Sequence, residues 1–240
     1  MKILITNDDG IASPALARLA AWARRLGEVT VVAPLCEQSG KSQSIDFRNP
    51  MKIKKMSADD ASEIWAVDST PADCVRFGVI GLGEEYDLVI SGINRGYNLG
   101  DDISYSGTVG AIFEASRVGI KAIALSTGIE SFDNAFCELD GVYEYILQKN
   151  LFEHAELLNV NIPISRSKGI AITRQGKTFY SDRFVKCDGE DMYVQAGEPI
   201  YNADTDLSVD VNAIRQGYVS ITPLTAKKTD LAVYEKIKAL

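Results

Sequence analysis

The sequence predicts an α/β protein: a Rossmann-like, mostly parallel sheet with helices on both faces, followed by a β-rich C-terminal appendage. Three observations predict it. Short apolar runs alternate with amphipathic helical stretches up to about residue 164, the pattern of successive β-α-β units. Those runs are apolar throughout, as parallel strands buried on both faces require. From Lys168 onward the periodicity shortens to strands with polar insertions, and no helix is expected before about Asp230. The chain thus divides into an α/β core at residues 1–164 and a β-rich arm with a C-terminal helix at residues 165–240. The exposed edges of such an arm need covering, and a second subunit covers them most economically.

Each element follows from local residues. Ile3, Leu4 and Ile5 form a strand that Asn7-Asp8-Asp9-Gly10 breaks. Ser13-Pro14 supplies an N-cap and a proline at the first helical position, and Leu16, Leu19, Ala20, Ala23 and Leu26 form the helical stripe that stops at Gly27. Val29 to Ala33 is the second strand. Two strands joined through one helix run parallel, so Asp8 and Asp9 stand at the carboxyl edge of the sheet, where open α/β folds bind ligands. Residues 45–67, apolar runs interleaved with charge, read as small inserted antiparallel strands. Thr70-Pro71 opens a helix through Cys74, Val75, Phe77 and Val79. Leu88, Val89 and Ile90 are a central strand, Ile123 to Leu125 another, residues 136–147 the clearest amphipathic helix, and Leu157 to Ile162 a further buried strand.

Residues 87–108, DLVISGINRGYNLGDDISYSGT, are the stretch around which the rest is organised. Loops in compact domains usually span about four to six residues, so a longer one rich in small polar residues reads as a binding surface. It ends at Ser106-Gly107-Thr108, where a helical stripe (Val109, Ile112, Phe113) begins. A helix N-terminus offers unpaired N–H groups and the positive end of a dipole, so an anion, and phosphate in particular, is the expected guest.

Composition narrows the partners. The chain carries 25 Lys and Arg against 33 Asp and Glu, net −8, which excludes the basic footprint needed to hold polymeric nucleic acid. Cys36, Cys74, Cys137 and Cys187 are widely spaced without a CxxC pair, so reduced thiols in a cytoplasmic protein are expected. No apolar run is long enough to span a membrane, and no signal peptide is expected. Gly40-Lys41-Ser42 suggests a P-loop, but Leu35 stands where that motif needs its first glycine. His154 falls between a helix and a strand, away from the loops, and reads as a surface or capping residue.

Two adjacent carboxylates in a partly dry crevice repel by about 4 kcal/mol at about 4 Å and an effective dielectric near 20. Either one acid is neutral at pH 7 or a cation lies between them. Neighbours rich in oxygen, with no histidine or thiol among them, favour a hard divalent ion over zinc.

The strings ILITNDDG (3–10), APLCEQSGKSQSI (33–45), AVDSTPADCVRFG (66–78) and VISGINRGYNLGDDISYSGTVGAIFEA (89–115) together resemble the SurE family of stationary-phase survival proteins, metal-dependent nucleotidases. The resemblance implies metal ligation by Asp8, Asp9, Ser39 and Asn94, and phosphate binding by Asn98, Ser106, Gly107 and Thr108. It implies one divalent ion per subunit, Mn²⁺ or Mg²⁺, with Asp8 and Asp9 also catalytic. The implied substrates are nucleoside 5′- and 3′-monophosphates and short polyphosphate, and the implied assembly is a homodimer or homotetramer built by arm exchange. Ser69 stands where the family has glycine, and the tail after Asp230 lacks the family's histidine. The expected reaction is metal-assisted hydrolysis of a phosphate monoester. Two rivals are a nucleotide-sensing module without turnover and an aspartyl-phosphate enzyme of the haloacid-dehalogenase kind, although the latter carries DxDG[ST] and this chain has Asn7-Asp8-Asp9-Gly10-Ile11.

Overall fold

The computed structural model describes residues 1–57, 63–189, 191–200 and 204–240. In chain order the main elements are β1 (Lys2–Thr6), α1 (Pro14–Ala23), β2 (Glu28–Pro34), β3 (Ile53–Met56), β4 (Glu63–Val67), α2 (Pro71–Arg76), β5 (Leu88–Arg95), α3 (Gly107–Arg117), β6 (Lys121–Thr127), α4 (Asp133–Gln148) and β7 (Leu157–Ile162). There follow β8 (Ile170–Ile172), β9 (Phe179–Tyr180), β10 (Arg183–Lys186), β11 (Tyr193–Ala196), β12 (Pro199–Ile200), α5 (Asp210–Arg215), β13 (Val219–Leu224) and α6 (Leu231–Lys238).

Among the described residues nine strands form one sheet in the order β3-β4-β2-β1-β5-β6-β7-β13-β8. The strands from β4 to β7 in that order are parallel to their neighbours. Ile3, Leu4 and Ile5 in β1 have no exposed surface because both faces of the sheet are covered. On one face α1 and α4 bring Leu16, Leu19, Leu139, Val142 and Ile146 onto Ile3, Ile5 and Ile90. On the other, α2 and α3 bring Val75, Val109, Ile112 and Ala115 onto Leu4 and Val89. This sandwich of helices on both faces is the predicted one, and the uniformly apolar strands follow from it.

The sequence expectation changes in two places. Within residues 45–67 the expected antiparallel pair is present as β3 with β4, but it is not separate from the main sheet: β4 also pairs parallel to β2, with Val32 beside Trp65 and Ala33 beside Ala66. Helix α5 lies well before Asp230, where short strands were expected. At its start Leu207, Val209 and Val211 imitate a strand, but Val211, Ala213 and Ile214 are all buried and packing outweighs β propensity.

The segment after residue 164 contributes in two ways. Strands β13 and β8 continue the main sheet, β13 antiparallel to β7. Among the described residues its other strands form two small antiparallel pairs, β10 with β11 and β9 with β12, which carry exposed Phe184, Tyr193, Val194 and Ile200. Among the described residues no helix is long and apolar enough to cross a membrane.

Candidate metal and phosphate site

Strand β1 has β2 on one side and β5 on the other, so the chain leaves it in opposite directions and a crevice opens at the carboxyl ends of β1 and β5. Register places Thr6 beside Ser91. Asp8 and Asp9 follow β1, and Asn94 lies near the end of β5. Between Ser91 and Asn94 the β5–β6 ladder is interrupted, at Gly92. Gly92 has φ +131°, and a Cβ there would sit 2.3 Å from the Leu125 carbonyl oxygen, so only glycine lets β5 pass β6 this closely.

Three loops are tied together at this edge. The Asn7 side chain donates to the Gly10 carbonyl at 3.0 Å and shapes the acidic turn. The Gln38 amide donates to the Asp8 carbonyl at 2.7 Å, joining the second loop to the first. The Ser42 hydroxyl donates to the Ser104 carbonyl at 2.8 Å, joining the second loop to the third.

Asp8 is 4% exposed and is gripped by the N-terminus of α3. The Thr108 hydroxyl donates to its Oδ1 at 2.6 Å and the Thr108 amide to its Oδ2 at 3.1 Å. A Cβ on Gly107 would lie 3.0 Å from Asp8 Cβ and 3.0 Å from Oδ2, so glycine permits the approach. Burial pushes the Asp8 carboxyl above the usual carboxylate range, and the Thr108 hydroxyl and amide pull it partly back. Asp9 is pushed up to about 6, first by burial and then by the Asp8 charge, with the Arg95 amide opposing.

The other sequence-predicted residues fall out as follows. Asn94 is half-buried and donates through Nδ2 to the Gly96 carbonyl at 2.9 Å; its Oδ1 accepts no hydrogen bond among the described residues. Ser39 is exposed and donates to Glu37 Oε1 at 2.7 Å. Ser106 caps α3, its hydroxyl accepting from the Val109 amide at 3.1 Å. Asn98 is buried and its Nδ2 donates to Ser126 Oγ at 2.8 Å. The anion at the helix terminus in this structure is therefore the Asp8 carboxylate. His154 is exposed and away from the crevice. Sequence reading missed Arg95, whose amide and charge both act on Asp9. Its position directly after Asn94 at the strand end was the available signal.

This donor set fits a hard divalent cation. Burial and mutual repulsion disfavour two carboxylate charges at one spot, and a cation relieves both. Among the described residues no trio of His, Cys, Asp or Glu side chains converges, so the remaining donors would be neutral oxygens such as those of Asn94 and Ser39.

The raised carboxyl of Asp9 has a stability consequence in protein stripped of metal. The folded state binds the proton more tightly than the unfolded chain, so the Asp9 contribution is full below about pH 4 and is lost as pH rises toward about 6. The urea-derived stability of wild type minus that of Asp9→Asn, measured in chelator, should fall across this window by on the order of 2 kcal/mol after solvent screening. A difference that stays flat with pH contradicts the placement of Asp9.

Beside the crevice, Gly96, Tyr97 and Leu99 form one wall of a cavity of about 780 Å³ whose other walls include Lys177, Tyr180 and Asn212. The loop carrying Asn94 and Asn98 thus also borders a space of ligand size.

Comparison with known proteins agrees with this architecture. The sequence model of the family described as "Survival protein SurE" matches residues 3–182. A protein named 5′-nucleotidase SurE from Thermoanaerobacter sp. (strain X514) is 41% identical over 250 aligned positions, covering 100% of this chain and 97% of that protein. The protein of that name from Legionella pneumophila is 36% identical, covering 100% and 97%. The crystal structure of the SurE protein from Aquifex aeolicus superposes with a TM-score of 0.82 at 40% identity, covering 100% of this chain and 99% of that one. Similarity of this depth, from end to end in sequence and in fold, shows that the chain belongs to the SurE family.

Proposed function

We propose that the protein is a phosphoric monoester hydrolase: a divalent-metal-dependent nucleotidase acting on nucleoside 5′- and 3′-monophosphates, with short polyphosphate as a further substrate. The observation that carries this reading is the adjacent pair Asp8 and Asp9 at the carboxyl edge of β1, with Asp8 pinned to the N-terminus of α3. The relatives' name, 5′-nucleotidase, supports the substrate class.

Asp8, Asp9, Ser39 and Asn94 would hold one Mn²⁺ or Mg²⁺ per subunit. When bound, the ion supplies Lewis acidity toward a phosphoryl oxygen and toward water. The chain's own groups do the rest. Both Asp8 oxygens accept bonds from Thr108, so Asp8 is held in one orientation and is poorly placed to act as a nucleophile, which disfavours an aspartyl-phosphate route. Asp9 is less encumbered and is the carboxylate that takes a proton from attacking water. The terminus of α3 and Asn98 provide the polar surface for the phosphoryl group. Phosphate release from AMP, measured with Mn²⁺ and with EDTA, tests this directly. Thermal stabilisation by AMP with no release in either condition would instead indicate a sensor.

The cavity behind Gly96 and Tyr97 receives the nucleoside, with Tyr97 offering a face for the base. Base–aromatic stacking contributes about 1–3 kcal/mol, so Tyr97→Ala should raise KM for AMP roughly 5- to 150-fold. A chromogenic phosphate monoester without a base should be affected far less. Equal losses on both substrates would place the nucleoside elsewhere.

A homodimer or homotetramer is the proposed assembly, because the β10–β11 pair and α6 expose Phe184, Tyr193, Leu231 and Ile237, which a second copy would cover. A cytoplasmic setting is consistent with four cysteines that are all free thiols.

A further inference from the structure

Residues 96–99 have no helix or strand of their own, yet the backbone around Asn98 and Gly100 is held by side chains from distant parts of the chain. The Asn98 amide donates to Asn161 Oδ1 at 2.9 Å. The Asn98 carbonyl accepts from Asn159 Nδ2 at 2.8 Å and from Asn161 Nδ2 at 3.0 Å. Two residues on, the Gly100 amide donates to Asp210 Oδ2 at 2.8 Å and the Gly100 carbonyl accepts from Gln175 Nε2 at 2.9 Å. The other oxygen of Asp210 accepts from the Gly176 and Val211 amides, each at 2.8 Å.

These holding groups are expensive to place. Asn159, Asn161 and Asp210 are all 0% exposed, and the two asparagines occupy alternate positions of a strand whose other members are apolar. Asn159 Oδ1 is buried with no partner among the described residues. Apolar side chains would pack the interior of β7 without that desolvation cost. What the polar ones supply is a fixed path for the loop between Asn94 and the start of α3. Gly100 adopts φ +52°, and a Cβ on it would come within 2.9 Å of the Thr178 amide nitrogen, so the segment after β8 presses directly on this loop.

We propose that Asn159, Asn161, Gln175 and Asp210 are positioning residues for the reaction, clamping the backbone at Asn98 and Gly100 so that the loop presents its phosphate- and nucleoside-facing groups in one geometry. This rests on the proposed function. It assigns the segment after β7 a part in catalysis separate from self-association, since α5 and the residues after β8 reach the loop of their own chain.

The test compares wild type, Asp210→Asn and Gln175→Ala, each loaded with Mn²⁺, with Arg215→Ala as a control at an exposed position of α5. Asp210→Asn keeps the shape but removes one of the two charged acceptor oxygens, and Gln175→Ala removes a bond made by an exposed residue, so folding is preserved in at least the latter. Expected are a rise of about 10-fold for Asp210→Asn and about 3-fold for Gln175→Ala in both KM for AMP and the inhibition constant of inorganic phosphate. The Mn²⁺ titration midpoint should not move, and amides of residues 98–104 should exchange faster than in the control. The proposal is overturned if neither variant shifts KM or phosphate inhibition beyond about 2-fold, or if losses merely follow the folded fraction. Should the wild type release no phosphate, the functional reading fails, and exchange rates alone decide whether these side chains hold the loop.

Discussion

Replacing Asp8 by asparagine is expected to lower kcat/KM for nucleoside monophosphates by about 10³-fold or more, equivalent to roughly 4 kcal/mol of lost transition-state stabilisation. The substitution keeps the side-chain volume at a position that is 4% exposed, so it opens no cavity. An amide has one acceptor oxygen where the carboxylate has two. Its oxygen can still accept from the Thr108 amide while its Nδ2 donates to the Thr108 hydroxyl, so both contacts persist with the second reversed. The exchange of a charged acceptor for a neutral group costs about 1 kcal/mol, offset in part because a buried charge has been removed. Thermal unfolding should therefore stay close to wild type while turnover collapses. Lys41→Ala is the matching control: Lys41 is exposed and belongs to no P-loop, and its loss should cost less than about 5-fold. An Asp8→Asn protein that retains near-normal turnover would remove the site from this crevice.

Chelation is the second large effect. Dialysis against EDTA should abolish phosphate release, and Mn²⁺ or Mg²⁺ should restore it. A ligand that binds only the folded state at about 100 times its Kd stabilises by about 2.7 kcal/mol, which for a chain of this length raises Tm by roughly 5–10 °C. Manganese should produce that shift in wild type and fail to do so in Asp8→Asn and Asp9→Asn. The carboxyl of Asp9, now pushed up to about 6, should then titrate at lower pH, because a neighbouring cation favours its charged form. Turnover that persists through exhaustive chelation, with no thermal response to either ion, would exclude the metal-dependent reading.

Where the candidate site residues sit in the fold was largely legible because their signals are local. Asn7-Asp8-Asp9-Gly10 after an apolar strand places two acids at a strand end whatever the rest of the fold, and a β-α-β unit makes that end the carboxyl edge. Ser106-Gly107-Thr108 before a helical stripe is equally local, and α3 does begin at Gly107 with Ser106 as cap. What these groups bond to was not legible. The amide of Thr108, expected to face an external anion, faces Asp8, a residue 100 positions away. The bonds of Asn159 and Asn161 within an apolar strand, and of Asp210 at the start of α5, were hidden for the same reason, since a buried polar residue has no recognisable purpose until its partner is known. Helix α5 was missed because Leu207, Val209 and Val211 alternate as a strand would, and only the burial of Val211, Ala213 and Ile214 against neighbouring elements selects the helix.

The sequence by itself determined the fold class, the helices on both sheet faces, and the three loops rich in small oxygen-bearing residues. Hydrophobic periodicity, caps and turn residues act over a few positions and need no knowledge of distant partners. Only the tertiary structure decided that Asp8 is locked to α3, that the Asp9 carboxyl feels both the Asp8 charge and the Arg95 amide, and that residues from β7 and α5 hold the loop at Asn98 and Gly100. Those outcomes depend on strand order and register, which bring together groups that no local pattern relates.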